Sequence, residues 1–355
     1  MNAEEDEEDI EEQDLDEIIP LRYSITSYGA DYPADSLVQR INNDSIFIPP
    51  FQRAYVWNIS QASRFIESLL LGLPVPGIFL SREDKSNKLL VIDGQQRLRS
   101  LQYFYEGIFS NTGKEFSLQG VQKQFDGLTY KTLTPEDRRR LDDSIIHATI
   151  IRQEQPSDDE SSIYYIFERL NTGGTLLTNQ EIRACIYHGE FNQFLKKLNN
   201  EAAWRDIYGK TSSRMRDQEL ILRFLALYYE GDKYDRPMKE FLNNFMGSNR
   251  DISPERQCEM EKRFVDVIKT VRRAIGPSAF RPQKSLNAAV FDAVMIGLAK
   301  RLETGAITDI DMIKTRYFDL IKDSNFLLSS TKATADKESV ISRIRMAITA
   351  FNDVL

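Results

Sequence analysis

Asp93-Gly94-Gln95-Gln96-Arg97 places an acid, a glycine, two carboxamides and an arginine in five consecutive positions. Glycine tolerates backbone angles that a side chain disfavours, so Asp93-Gly94 is turn chemistry. Upstream, Leu89 to Ile92 is a short aliphatic run of the kind a buried strand shows. Downstream, Leu98, Leu101, Phe104 and Tyr105 recur at helical spacing. A strand, a tight turn and a helix start leave backbone N–H groups aimed at one point, which favours an anion such as phosphate. Arg97 in the first helical turn adds a planar, permanently charged fork suited to phosphate oxygens. On its own the pattern is also that of an ordinary strand-to-helix connection with a solvated arginine, so its context must decide.

The elements around this turn mix strand and helix. Residues 20 to 57 read as short strands and turns that end in the Pro49-Pro50 break, where prolines force an extended approach. Ser60 then reads as a helix N-cap, followed by Ala62, Phe65, Ile66, Leu69 and Leu70 at amphipathic spacing. Pro74 and Pro76 flank an extended stretch, Ile78 to Leu80 reads as a strand, and Ser81 to Lys88 as a polar connection into the next one. Gly107 to Gly127 is irregular. Thr134-Pro135-Glu136-Asp137 is a helix start, with a cap, a proline at the first position and acids in the first turn. Ser144 to Arg152 reads as a core strand, Gln153 to Asp159 as a polar loop, and Ile163 to Leu170 as a helix closed by Gly173-Gly174. Thr178-Asn179-Gln180-Glu181 is a capping box. From Phe191 to Leu355 nearly everything reads as helix, with Ser253-Pro254-Glu255 opening one of them.

Two segments give the turn its context. Phe47-Ile48-Pro49-Pro50-Phe51-Gln52-Arg53-Ala54-Tyr55-Val56-Trp57 lies about forty residues before it, and Leu73-Pro74-Val75-Pro76-Gly77-Ile78-Phe79-Leu80 lies between. In this order, with Asp93 to Arg97, they resemble the N-terminal domain of the GmrSD family of modification-dependent restriction endonucleases, a ParB/sulfiredoxin-like group. Phe167-Glu168-Arg169-Leu170-Asn171-Thr172-Gly173-Gly174, with Glu181 and Arg183, resembles the second block of that family. The resemblance covers residues 20 to 190 and extends more weakly through the helical remainder.

What the resemblance implies is an α+β protein: a small ParB/sulfiredoxin-like mixed α/β domain over residues 20–155, then a mostly α-helical region over 156–355. Gln52, Arg53, Gly94, Gln95, Arg97, Arg169 and Asn171 would bind a nucleotide, and Asp93, Gln96 and Arg97 would be catalytic. Two arginines and two carboxamides can hold a triphosphate, and Asp93 can hold a magnesium ion or orient water. The residues alone leave other readings open: Asp93 as a turn acid, Arg53 stacked on Tyr55 and Trp57, and Glu181 with Arg183 as cap and ion pair. The implied cofactors are Mg2+ and ATP, GTP or CTP. The implied role is a nucleotide-binding, NTP-hydrolysing subunit of a DNA-targeting restriction or anti-phage system. Alternatives are a non-catalytic DNA- or protein-binding sensor, and a metal-dependent nickase using the same cleft. Full-length relatives carry a C-terminal nuclease with a histidine motif. No histidine follows His188 here, so the expectation is that a partner subunit supplies cleavage. DNA, modified in some form, and a second copy of the chain are the other expected partners.

Composition fits this frame. The 355 residues suffice for two domains, and no apolar run approaches the roughly 20 residues of a membrane span. The chain opens on acids, not on a secretory signal, which points to the cytoplasm. The formal charge of −8 is misleading, because residues 1–17 hold eleven acids and no base. Without them the body carries a slight basic excess, concentrated at Arg138-Arg139-Arg140 and Arg272-Arg273. Residues 1–19 read as an acidic, disordered tail. Cys185 and Cys258 read as buried thiols of a reducing compartment. There is no Gly-x-x-x-x-Gly-Lys phosphate loop, no Cys/His metal framework and no triad signature. His147 falls in a strand pattern, and His188 near a helix end.

Overall fold

A computed structural model describes residues 24–48, 55–83, 87–109, 112–155, 161–170 and 177–355. It is mixed α/β in its first half and helical in its second. The first half runs β1 (Ser24–Pro33), α1 (Ala34–Asn42), β2 (Ile46–Phe47), α2 (Ile59–Leu70), β3 (Ile78–Arg82), β4 (Leu89–Asp93) and α3 (Gln95–Glu106). It continues with β5 (Ile108–Phe109), β6 (Lys114–Glu115), α4 (Pro135–Asp142), β7 (Ile145–Gln155) and α5 (Ser161–Leu170). Five strands form one sheet in the order β1-β7-β3-β4-β2, while β5 and β6 pair separately. In the large sheet β1 is antiparallel to β7 and β3 to β4, whereas β7–β3 and β2–β4 are parallel.

One face of the sheet carries Ile78, Leu80, Leu89, Val91, Ile146, Ala148 and Ile150 into a core. That core is completed by the apolar sides of the first helices, including Leu37, Ile66, Leu98 and Phe104. On β4 the alternating residues Leu90 and Ile92 are also buried, and α5 packs against this strand. A strand covered on both faces reads as an unbroken apolar run, which is why Leu89 to Ile92 shows no alternation.

Several elements differ from the sequence expectation. The segment read as strands and turns contains a helix, α1, whose Ala34, Leu37, Val38 and Ile41 are buried. Its spacing is helical, but it begins at Pro33 with no side-chain cap, so its start carries no polar signal. Helix α2 is capped by Asn58, not Ser60: Asn58 Oδ1 accepts from the Gln61 backbone and the Gln61 side chain accepts in return. Strand β7 runs on to Gln155, because it stays paired with β1 past the polar residues that suggested a loop.

The second half comprises α6 (Asn179–Ile186), α7 (Glu190–Leu198), α8 (Ala202–Tyr208), α9 (Arg216–Glu230), α10 (Met238–Ser248), α11 (Pro254–Ala274), α12 (Ala288–Glu303), α13 (Ile310–Leu320), α14 (Ser324–Thr331) and α15 (Lys337–Phe351). Helix α12 is buried on every side from Ala288 to Ala299. Gly297 lets α15 approach closely, since a Cβ there would stand 2.8 Å from the Ala347 carbonyl carbon. The contacts define two compact units. One spans Arg22–Leu177 with Ala184–Ile186, and so contains α5; the other comprises Thr178–Arg183 and Tyr187–Leu355. Cys185 is buried as expected, but Cys258 is exposed. Helix α11 turns Met260, Phe264, Val267 and Val271 inward, and Cys258 falls outside that stripe. No helix among the described residues is long and apolar enough to cross a membrane.

Candidate nucleotide-binding turn

Strand β4 ends at Asp93, and Gly94 turns the chain into α3 with φ 99° and ψ 8°. Only glycine adopts that left-handed conformation without strain. Space demands it as well, since a Cβ on Gly94 would lie 2.4 Å from Ile78 Cγ2. The first bond inside α3 runs from Leu98 N to Gly94 O. The amides before it therefore face out along the helix axis, where the dipole favours negative charge. Arg97 Nη2 donates to Asp93 Oδ2 at 2.8 Å, with the Arg97 side chain largely covered and Asp93 half exposed. The acid thus sets the direction of the guanidinium at the mouth of the turn.

Gln96 plays a different part. Its side-chain oxygen accepts the backbone N–H groups of Val56 at 3.0 Å and of Trp57 at 3.2 Å. Tyr55 reinforces the clamp. Ser100 donates to the Gln96 carbonyl at 2.7 Å, so the Tyr55 hydroxyl donates to Ser100 Oγ, also at 2.7 Å. Burial pushes the Tyr55 hydroxyl up to about 12, and its ring meets Tyr103 and Phe109 edge-on. The first two turns of α3 therefore hold the chain immediately after the Pro49–Ala54 segment. Nothing in the sequence singled out Ser100, although it stands four residues after Gln96 on the same side of the helix.

The remaining site expectations divide. Gln52, Arg53 and Asn171 lie outside the described residues. Gln95 is half-buried in the first turn of α3, and Arg169 is exposed in the last turn of α5, the helix that packs on β4. Glu181 and Arg183 do not line an open cleft. Arg183 is fully buried, with Nη2 2.9 Å from Glu219 and Nε donating to Gln180. Glu181 caps α6 through Thr178 and accepts from Arg214. Both serve the packing of the helical half. Within the basic clusters Arg138 covers the Tyr130 ring and donates to the Lys131 carbonyl, Arg140 meets Glu136, and Arg272 meets Asp206. Among the described residues no three His, Cys, Asp or Glu side chains gather as a metal cage.

A mixed five-stranded sheet that presents an Asp-Gly-Gln-Gln-Arg turn at one end defines the class of this domain. Residues 35–188 match the family model of the GmrSD restriction endonuclease, N-terminal domain, and the chain carries that domain. The family ties it to restriction and related defence systems. No curated protein matches the sequence.

Proposed function

We propose that this chain binds and hydrolyses a nucleoside triphosphate at the Asp93–Arg97 turn, as a subunit of a DNA-targeting restriction or defence system whose nuclease is supplied by a partner. The observation that carries this reading is the clamp between Gln96 and the Val56–Trp57 backbone. It ties the segment just after Gln52-Arg53 to the first turn of α3, as a cleft built from both motifs requires. The outward amides of α3, Gln95 and the guanidinium of Arg97 supply phosphate contacts. Arg169, on the helix that packs against β4, adds a second cation, and Asn171 follows two residues later. Asp93 supplies one half-exposed carboxylate. That suits magnesium, which is commonly held by one or two carboxylates plus the phosphates it accompanies, and not by an all-protein cage. The bound ion would neutralise phosphate charge; Asp93 would orient it or the attacking water. Gln96 acts through the segment it positions.

Phosphate release from ATP, GTP and CTP with magnesium tests this, with and without modified DNA, in the wild type and in Arg97→Ala. Turnover that disappears in the variant supports the reading. A chain that binds nucleotide and never releases phosphate is a sensor instead.

A further inference from the structure

The sheet register puts a second polar group on the same surface as the turn. Phe79 of β3 is paired with Asp93 on one side and with Thr149 of β7 on the other, because an irregularity between Phe79 and Leu80 leaves Ile92 unmatched. Paired residues share a face, and so do residues two apart on a regular stretch of strand. The irregularity at Ile92 breaks that alternation between Val91 and Asp93. Asp93, Phe79, Thr149 and His147 therefore lie on one face, opposite the Leu80–Val91–Ile150 core. Asp31, paired with His147 across β1, lies there too. His147 Nδ1 stands 2.7 Å from Asp31 Oδ1, and both side chains are well exposed.

This pair sits in space kept clear for it. A Cβ on Gly29 would meet His147 Cε1 at 2.9 Å, so the imidazole lies over a strand position that has no side chain. A Cβ on Gly77 would meet the His147 carbonyl oxygen at 2.8 Å. Gly77 thus leaves the His147 side of the strip low, while Phe79 stands beside Asp93 and Thr149 on the same face. Two strand spacings and a two-residue offset separate His147 from Asp93 by roughly 12 Å. The result is a shallow strip with an acid–arginine turn at one end and an acid–imidazole pair at the other.

A carboxylate only accepts, so Nδ1 donates to Asp31 and Nε2 is turned toward a ligand, as an acceptor in the tautomer that carries its proton on Nδ1. An acceptor backed by a carboxylate suits a hydroxyl, not a phosphate. With Asp31 and Asp93 both on the strip, a continuous polyphosphate or nucleic-acid backbone is disfavoured along it. The matching ligand has one anionic end and one hydroxyl-bearing end. Resting on the nucleotide reading above, we propose that His147, held by Asp31, is a binding residue for the ribose of the nucleotide whose phosphates sit on the Asp93–Arg97 turn.

The chain has two histidines, so histidine-selective NMR of the full-length protein gives two ring signals, assigned with His147→Gln. ATP, GTP, CTP, inorganic tripolyphosphate and a short DNA single strand are titrated in turn, with affinities from calorimetry. A nucleotide that shifts the His147 signal, alongside tripolyphosphate that binds without shifting it, supports the proposal. His147→Gln should weaken that nucleotide about fivefold, the loss of one ordinary hydrogen bond, and leave tripolyphosphate unchanged. A nucleotide that binds through Arg97 with an unmoved His147 signal overturns the ribose contact and leaves the nucleotide site standing. A DNA strand that shifts the signal where nucleotides do not overturns it in favour of strand binding. A folded protein that binds no nucleotide removes both.

Discussion

Gln96 accepts the backbone N–H of Val56 at 3.0 Å, across a sequence separation of 40 residues. Through this bond and its neighbour to Trp57, two short motifs that are individually unremarkable become parts of one place in the fold. A glutamine is suited to the task because a single carboxamide oxygen has two lone pairs and can take both N–H groups.

Gln96→Met should therefore cost about 1–3 kcal/mol of stability, since two backbone donors lose their acceptor. Gln96→Glu keeps an acceptor in place and should retain most of both stability and nucleotide affinity. Chemical denaturation of the three proteins, with binding measured in parallel, checks this. Equal behaviour of Met and Glu would mean that the clamp is incidental.

Gly94→Ala should destabilise the first half by about 2–4 kcal/mol, combining the left-handed backbone with the overlap at Ile78. Ile78→Ala removes the methyl group that an added Cβ would strike. The double variant should lose less than the two single losses together. Additive losses in a denaturation cycle would show that backbone conformation alone excludes a side chain here.

Asp292 is fully buried between Arg223, at 2.7 Å, and Arg343, at 3.3 Å. The two cations share one acid, and burial holds the Arg343 guanidinium below its ordinary range. Asp292→Ala strands both and should cost about 3–5 kcal/mol, seen as an earlier unfolding of the helical half. A loss within about 0.5 kcal/mol would mean that the cavity admits water to both guanidiniums.

Alkaline pH should weaken the fold before it fully ionises the tyrosines. Burial raises Tyr55 to about 12. It does the same for Tyr130, which also donates to Asp142, and for Tyr229 beside Glu259. Tyr105 is pushed further, by burial and by its own bond to Asp142. In the unfolded chain these groups lose their protons near 10.0, the ordinary tyrosine value, so between pH 10 and 12 the unfolded state binds fewer protons than the folded one. Stability is thus complete below pH 10 and falls as pH rises toward 12. Tyrosinate absorbance and thermal unfolding, followed together, test this. Uniform ionisation near pH 10 with the fold intact would contradict it.

The legible parts of the sequence were those with local causes. Helix α2 announced itself through Phe65, Ile66, Leu69 and Leu70, and the Asp93-Gly94 turn through glycine. What depended on distant partners was not legible. Strand β1 is an edge strand exposed on both faces between Thr26 and Gly29, so it shows no apolar alternation. Arg183 has the composition of a cleft residue, and only its burial against Glu219 shows that it packs the helical half. His147 is a plain strand histidine until pairing brings in Asp31 from a strand 116 residues away.

Nucleotide phosphates seated on the Asp93–Arg97 turn would make affinity depend on Arg97. Calorimetry with ATP, GTP and CTP in magnesium, on the wild type and a folded Arg97→Ala variant, measures that dependence. Loss of charged hydrogen bonds worth about 1.5–3 kcal/mol predicts a Kd weaker by roughly ten- to a hundredfold in the variant. Equal affinity in the two proteins, or none in either, would contradict it.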